Sequence, residues 1–176
     1  MRRIRFLSHL AMLLVLPMLV IYPYHELAWL YDLVWRDPQA WTRNDIWVDP
    51  QADIAFGTRV VFTAVWSLPV MLGIAAYLTA LGILWLLRAG VVFDPKIAHR
   101  IVWMGAFTVA SSLCALLAGA LSPMIRSWHN AEGPLGLRFW YDGGNIGLAF
   151  SGICFVFFGV VMREAIRIAR ENEAFV

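Results

Sequence analysis

The chain has 176 residues, of which 61% carry apolar side chains and 15% are charged, and its mean hydropathy is +0.68. Typical soluble domains hold roughly 45–50% apolar and about 25% charged residues, and a globule of this length cannot hide such an excess of apolar surface. A soluble fold is therefore excluded, and four bilayer crossings of about 20 residues each would fill most of the length as one membrane domain, with no space for a separate catalytic domain.

The first uninterrupted apolar stretch covers residues 6–24, with His9 as its one titratable group. It follows Met-Arg-Arg-Ile-Arg, which looks like the start of a secretory signal. Tyr22-Pro23-Tyr24-His25-Glu26-Leu27 lacks a small-x-small cleavage pattern, so an uncleaved anchor is expected.

A long connection, residues 25–59, comes next. Leu27, Leu30, Tyr31, Val34 and Trp35 recur at helical spacing among Glu26, Asp32 and Arg36, which predicts a short amphipathic helix lying at the interface. Pro38 and Pro50 then turn the chain. Trp29, Trp35, Trp41 and Trp47 do not keep to one helical face and read as an interfacial aromatic belt in preference to a ligand cleft. With Asp45 and Asp49 they form the candidate outer interaction surface, acidic enough for a cationic or peptide partner.

Residues 60–87, 101–125 and 143–162 are three further apolar stretches without Asp, Glu, Lys or Arg. None alternates with period two, so a β-barrel is disfavoured and an all-α integral membrane bundle of four transmembrane helices is expected. Between the second and third, Arg88-Ala89-Gly90-Val91-Val92-Phe93-Asp94-Pro95-Lys96 reads as a tight hairpin. Gly90 ends one helix in the left-handed conformation, while Asp94 and Pro95 cap and open the next. Residues 126–142 read as a Gly/Pro-punctuated loop, with Trp140-Tyr141 as an aromatic anchor where the chain re-enters the membrane. Beyond residue 162, Glu164, Arg167 and Glu171 stand at i+3 and i+4 spacing, so the fourth helix is expected to continue into a tail at 163–176.

Charge orients the bundle. Arg2, Arg3, Arg5, Arg88, Lys96, Arg100, Arg163, Arg167 and Arg170 fall on the side of the termini; these nine against four acids leave +5. The other side holds five arginines against eight acids, or −3, and the positive-inside rule therefore makes both termini cytoplasmic. Arg88, Asp94, Lys96, Arg100, Arg163, Arg167 and Arg170 form the candidate cytoplasmic interaction surface. The arginines and lysine there also suit anionic lipids.

The stretch Arg88-Ala89-Gly90-Val91-Val92-Phe93-Asp94, the following Arg100-Ile101-Val102-Trp103-Met104-Gly105, and Met162-Arg163-Glu164-Ala165 with Glu171-Asn172-Glu173-Ala174-Phe175-Val176 resemble the DUF2975 family of small bacterial integral membrane proteins. The resemblance covers most of the chain from the second span onward. It implies a four-helix inner-membrane protein and brings no catalytic residues. Genes of that family often neighbour one for an Xre-type helix-turn-helix regulator, which implies a cytoplasmic regulatory partner.

Chemistry is sparse, because no acid or base lies at mid-membrane, where such groups mark transport routes. His9 with His99, and His25 with His129, could serve one haem pair per leaflet, and this redox reading is a remote alternative to four unrelated interfacial histidines. Cys114 and Cys154 sit mid-span and read as packing residues. Ser111, Ala115 and Gly119, and Gly143, Gly147 and Ser151, recur every four residues and predict close packing of the third and fourth helices, or a face between copies. The leading expectation is a non-enzymatic regulatory or accessory protein of the inner membrane, without cofactor or direct nucleic-acid binding. The alternative is a binding or transport module for a lipophilic or cationic small molecule at the outer segment.

Overall fold

The computed structural model describes residues 2–37, 41, 47–139 and 142–173. They form four long helices, α1 (Arg2–Tyr31), α2 (Phe56–Arg88), α3 (Pro95–Arg126) and α4 (Gly143–Glu173), with no strand among the described residues. Each helix is long and apolar enough to cross a bilayer, and in its most apolar window only 6–17% of the residues are buried within the protein. Phe6, Leu13 and Val20 of α1 and Phe150 and Phe157 of α4 face outward. Each Å² of such surface left in water would forgo about 25 cal/mol, whereas hydrocarbon covers it. The chain is a multi-pass, all-helical membrane protein.

Helices are the natural solution, because an apolar medium requires each backbone N–H and C=O to be satisfied within the segment. Two hydroxyls inside the second span are satisfied in the same way: Ser67 donates to Thr63 O and Thr79 to Ala75 O, both at 2.7 Å. Pro17 and Pro23 lie inside α1 without ending it.

The short amphipathic helix expected after Tyr24 is not a separate element. α1 runs on to Tyr31 and passes directly into a π-helical turn, Asp32–Arg36. Nothing between His25 and Arg36 is a Gly or Pro that would stop the helix. Its apolar stripe is buried inside the protein, with Leu30 at 2% and Val34 at 0% exposure.

The α2–α3 hairpin has the expected mechanics. Gly90 adopts φ +84°, its N–H donates to Leu87 O at 3.0 Å and that of Val91 to Leu86 O at 3.1 Å, which is a Schellman closure of α2. Asp94 Oδ1 accepts from the Lys96 N–H at 2.7 Å, with Pro95 opening α3. α4 begins in the same way: Asp142 accepts from the N–H groups of Gly144 at 2.9 Å and Asn145 at 3.2 Å, and its other oxygen from Asn145 Nδ2 at 2.7 Å. These donors hold the Asp142 carboxyl below the usual carboxylate range, the bonds from Asn145 foremost.

The helices pack in chain order, α1 on α2, α2 on α3 and α3 on α4, while α1 and α4 form no comparable interface. Arg5 lies against Gly90, and Gly159 of α4 against Ala98 and Val102 of α3. The start of α1, the end of α4 and the α2–α3 hairpin therefore share one end of the bundle, the termini end.

α3 and α4 do make the most extensive contact, as expected, but through other residues. A Cβ on Gly105 would meet Gly152 O and Val156 N within 2.7 Å, and one on Gly152 would meet Val109 Cγ2 at 2.8 Å and Gly105 O at 2.9 Å. Gly119 and Gly147 face open space instead, Gly143 and Ser151 are exposed, and Ser111 turns to α2, where its hydroxyl donates to Pro69 O at 2.8 Å. The helices touch along the face carrying Ala98, Val102, Gly105 and Val109, and the ladder from Ser111 lies on a different side of α3.

The water-excluding core lies at the opposite end, between helix ends and connections. Leu30, Val34, Trp41, Val48, Ile54, Phe62 and Ile125 cluster there, with Leu33, Trp35, Val65, Trp66 and Leu121 packed against them. This is the capped end.

Candidate functional site

The cap is built from the first connection laid over α2 and α3 and pinned by the second. Asn130 is the main pin: its Oδ1 accepts from the Asp49 N–H at 2.9 Å and its Nδ2 donates to Trp47 O at 2.8 Å. His129 Nε2 accepts from the Ala55 N–H at 3.4 Å and hydrogen-bonds the Thr58 hydroxyl at 2.7 Å, fixing the start of α2. Buried Ser127 donates to Pro123 O at 2.7 Å and accepts from the Leu135 N–H at 2.8 Å, so the second connection folds back on α3.

The four tryptophans differ in burial: Trp41 is buried, Trp35 and Trp47 are half-buried, and Trp29 stays exposed while touching a ring of α2. Trp41 is fully buried, its ring 4.9 Å from that of Phe62, with the Arg126 guanidinium 5.6 Å from its centroid. Trp29 stands edge-on to Trp66 at 5.4 Å, and Trp35 donates from Nε1 to the Thr63 hydroxyl at 3.2 Å. Trp47 carries the Arg138 guanidinium 4.0 Å above its ring. Trp41 is thus no part of an outer surface. It packs in the buried cluster with Phe62, Leu30 and Val34, where a large aromatic side chain removes much apolar surface. Asp49 spends Oδ1 on the Gln51 N–H at 2.9 Å, and Asp45, like Pro38 and the Trp140-Tyr141 pair, lies outside the described residues.

Beneath the cap is a cavity of about 290 Å³, walled by Trp29, Trp47, Phe62, Trp66, Ser122 and Arg126. Two of these residues belong to the sequence-predicted surface. The other four lie in apolar spans or at a span end, where nothing in the sequence separates them from lipid-facing neighbours. The charged group in the cavity wall is the Arg126 guanidinium, and the rest of the named lining is aromatic apart from the Ser122 hydroxyl.

The predicted charged surface gathers at the termini end. Arg88 reaches over Trp85 at 5.8 Å, Asp94 is spent on its cap, and Lys96 is exposed. Arg100 lies over Gly82, where a side chain would displace its guanidinium, in an open groove of about 470 Å³ with Leu78, Thr79, Trp103 and Phe107. Arg163 and Arg170 are exposed on α4, and Arg167 is held between Glu164 and Glu171, bonding the latter at 2.8 Å. In this stretch Ile166 alone is buried.

The histidines have four separate local roles. His9 Nδ1 lies 2.6 Å from Arg5 O, His99 Nε2 accepts from Trp103 Nε1 at 2.8 Å, His25 faces Glu26 at 3.7 Å, and His129 serves the cap. Among the described residues no three His, Cys, Asp or Glu side chains come together, and Cys114 and Cys154 are partly buried free thiols.

Comparison of the chain with protein-family models, with curated proteins and with solved structures gives no match. Fold and surfaces define the class as a four-helix multi-pass membrane protein.

Proposed function

We propose that the chain is a non-enzymatic accessory or regulatory protein of the bacterial inner membrane, with both termini in the cytoplasm and a soluble partner docking on the end of α4. One observation carries this reading. From Arg163 to Asn172 α4 presents nearly every side chain to its surroundings, as a preformed helix with Arg163, Arg167 and Arg170 at i, i+4 and i+7 along one face and Arg167 fixed by two glutamates. Exposed ion pairs of this kind contribute little to stability, about 0–1 kcal/mol each, so a recognition role accounts for them better than a folding role. The resemblance to DUF2975 supports the same reading and makes an Xre-type regulator the partner to test first.

The test is capture from native membranes with the full chain and with Arg163, Arg167 and Arg170 all changed to Glu. The partner is expected with the first and at least tenfold depleted with the second. Equal recovery on both would overturn the proposal.

A further inference from the structure

We propose that a neutral, membrane-soluble ring bearing carbonyl oxygens, the chemistry of a quinone headgroup, binds between the four helices at mid-membrane. The proposal stands whether or not a partner docks on α4. A cavity of about 290 Å³, the bulk of roughly ten water molecules, lies there. All four helices line it: Val15 and Tyr22 of α1, and one face each of α2 between residues 73 and 80, of α3 between 104 and 112 and of α4 between 148 and 155. The α2 and α4 segments lie at the middles of their apolar spans, at a depth that glycerolipid ester carbonyls do not reach, while Tyr22 lies toward the capped end of its own span.

Its polar lining consists of hydroxyl groups. Thr108 donates to Met104 O at 2.8 Å, Ser111 to Pro69 O at 2.8 Å and Ser151 to Gly147 O at 2.9 Å, so these three offer the cavity lone pairs alone. Ser112 differs. Of the three buried serines, Ser8 and Ser127 bond backbone carbonyls at 2.7 Å, whereas Ser112, 2% exposed and in the cavity wall, has no hydrogen bond within the described protein. Its oxygen is also not among the fully enclosed polar atoms, so what access it has is to the cavity. A buried donor without a partner is rare in native structures and rarer still in an apolar medium. An acceptor oxygen on a bound molecule supplies the partner.

The ligand's charge and shape follow from the same wall. No Asp, Glu, Lys, Arg or His lines the cavity, so a charged guest would find no counterion, and the guest is neutral. The Tyr22 and Tyr77 rings stand 5.8 Å apart at 52°, and Phe155 also lines the cavity, aromatic surfaces that suit a flat ring. Tyr22 reaches this place because Gly73 has no side chain: a Cβ there would lie 2.9 Å from the phenol oxygen. The side between α1 and α4 is not closed by a helix interface, which leaves a lateral way in from the lipid.

The test uses the full chain in detergent, with a decyl-tailed benzoquinone as probe and two controls, decanol and a short-chain diacylglycerol. Thermal unfolding is followed by circular dichroism, and probe retained through gel filtration is read by absorbance. The quinone is expected to raise the unfolding temperature and to be retained, with neither control doing so. Ser112→Ala and Tyr77→Phe, which remove one hydroxyl each, are expected to weaken binding about five- to tenfold. Unliganded Ser112→Ala should be at least as stable as the parent, because the hydroxyl it loses has no partner. Equal stabilisation by decanol or diacylglycerol, or undiminished binding by both variants, would overturn the proposal, and so would a destabilised unliganded Ser112→Ala.

Discussion

Asp142 shows how much one exposed side chain can fix. Its two oxygens collect two backbone N–H groups and one amide at the start of α4, where four backbone donors lack intrahelical partners and the helix dipole favours negative charge. Its pKa in the folded protein is lowered, so its contribution to stability is present above the ordinary carboxylate range and fades as pH falls through the lowered value. Asp142→Ala is therefore expected to unfold at a lower temperature than the parent at pH 7, with the gap narrowing once pH drops below about 4. Melting curves at pH 7 and pH 3 check this, and a gap that does not change with pH would remove the charge from the explanation. At this scale the α2–α3 hairpin was readable in advance, because Gly90, Asp94 and Pro95 act on their own backbone. The fate of Trp41 was not readable, because burial depends on Phe62 and Arg126, which are distant in sequence.

Among the elements, the α3–α4 seam is the closest approach. Gly105, Gly152 and Gly159 let the backbones come so near that each added Cβ would meet a backbone atom within 2.9 Å. In lipid, where apolar side chains have no reason to prefer each other over acyl chains, such contact is a main source of helix association. Gly152→Leu is expected to cost at least about 1–3 kcal/mol, the range for overpacking, while Gly147→Leu, which enters open space, costs little. Unfolding in graded detergent denaturant distinguishes the two, and equal losses would refute the assigned seam. Small residues at spacing four identified the pair of helices correctly but not the contact face. Ser111, Ala115 and Gly119 repeat just as regularly as the residues that touch, and only the neighbouring helix decides which side of α3 is covered. The stripe at Leu30 and Val34 taught the same lesson: its period was right, but its partner was a protein core and not a membrane surface.

For the whole molecule, hydropathy and charge carry different information. The four spans were legible because each exceeds the bilayer thickness without a charged residue, and helix ends moved by only a few residues except where α1 ran on to Tyr31. The excess of Lys and Arg beside the termini and the hairpin leads to a topology test in a cysteine-free background. A cysteine at Lys96 is expected to react with an impermeant maleimide only in inverted vesicles, and one at Glu132 only in intact spheroplasts. The reverse pattern would place the α4 extension outside the cell and exclude a cytoplasmic partner. The cavities were not legible at this scale, since each is assembled from spans whose residues look alike until they are brought together.

The cap also bears on the order of assembly. Among the described residues its core and the bonds that pin it come from between Leu30 and Arg138, with none from α4. A growing chain therefore already holds these groups, which lock α1, α2 and α3 together, before its last helix has been synthesised. The final helix then docks along one prepared glycine seam on α3, without having to organise the three that precede it.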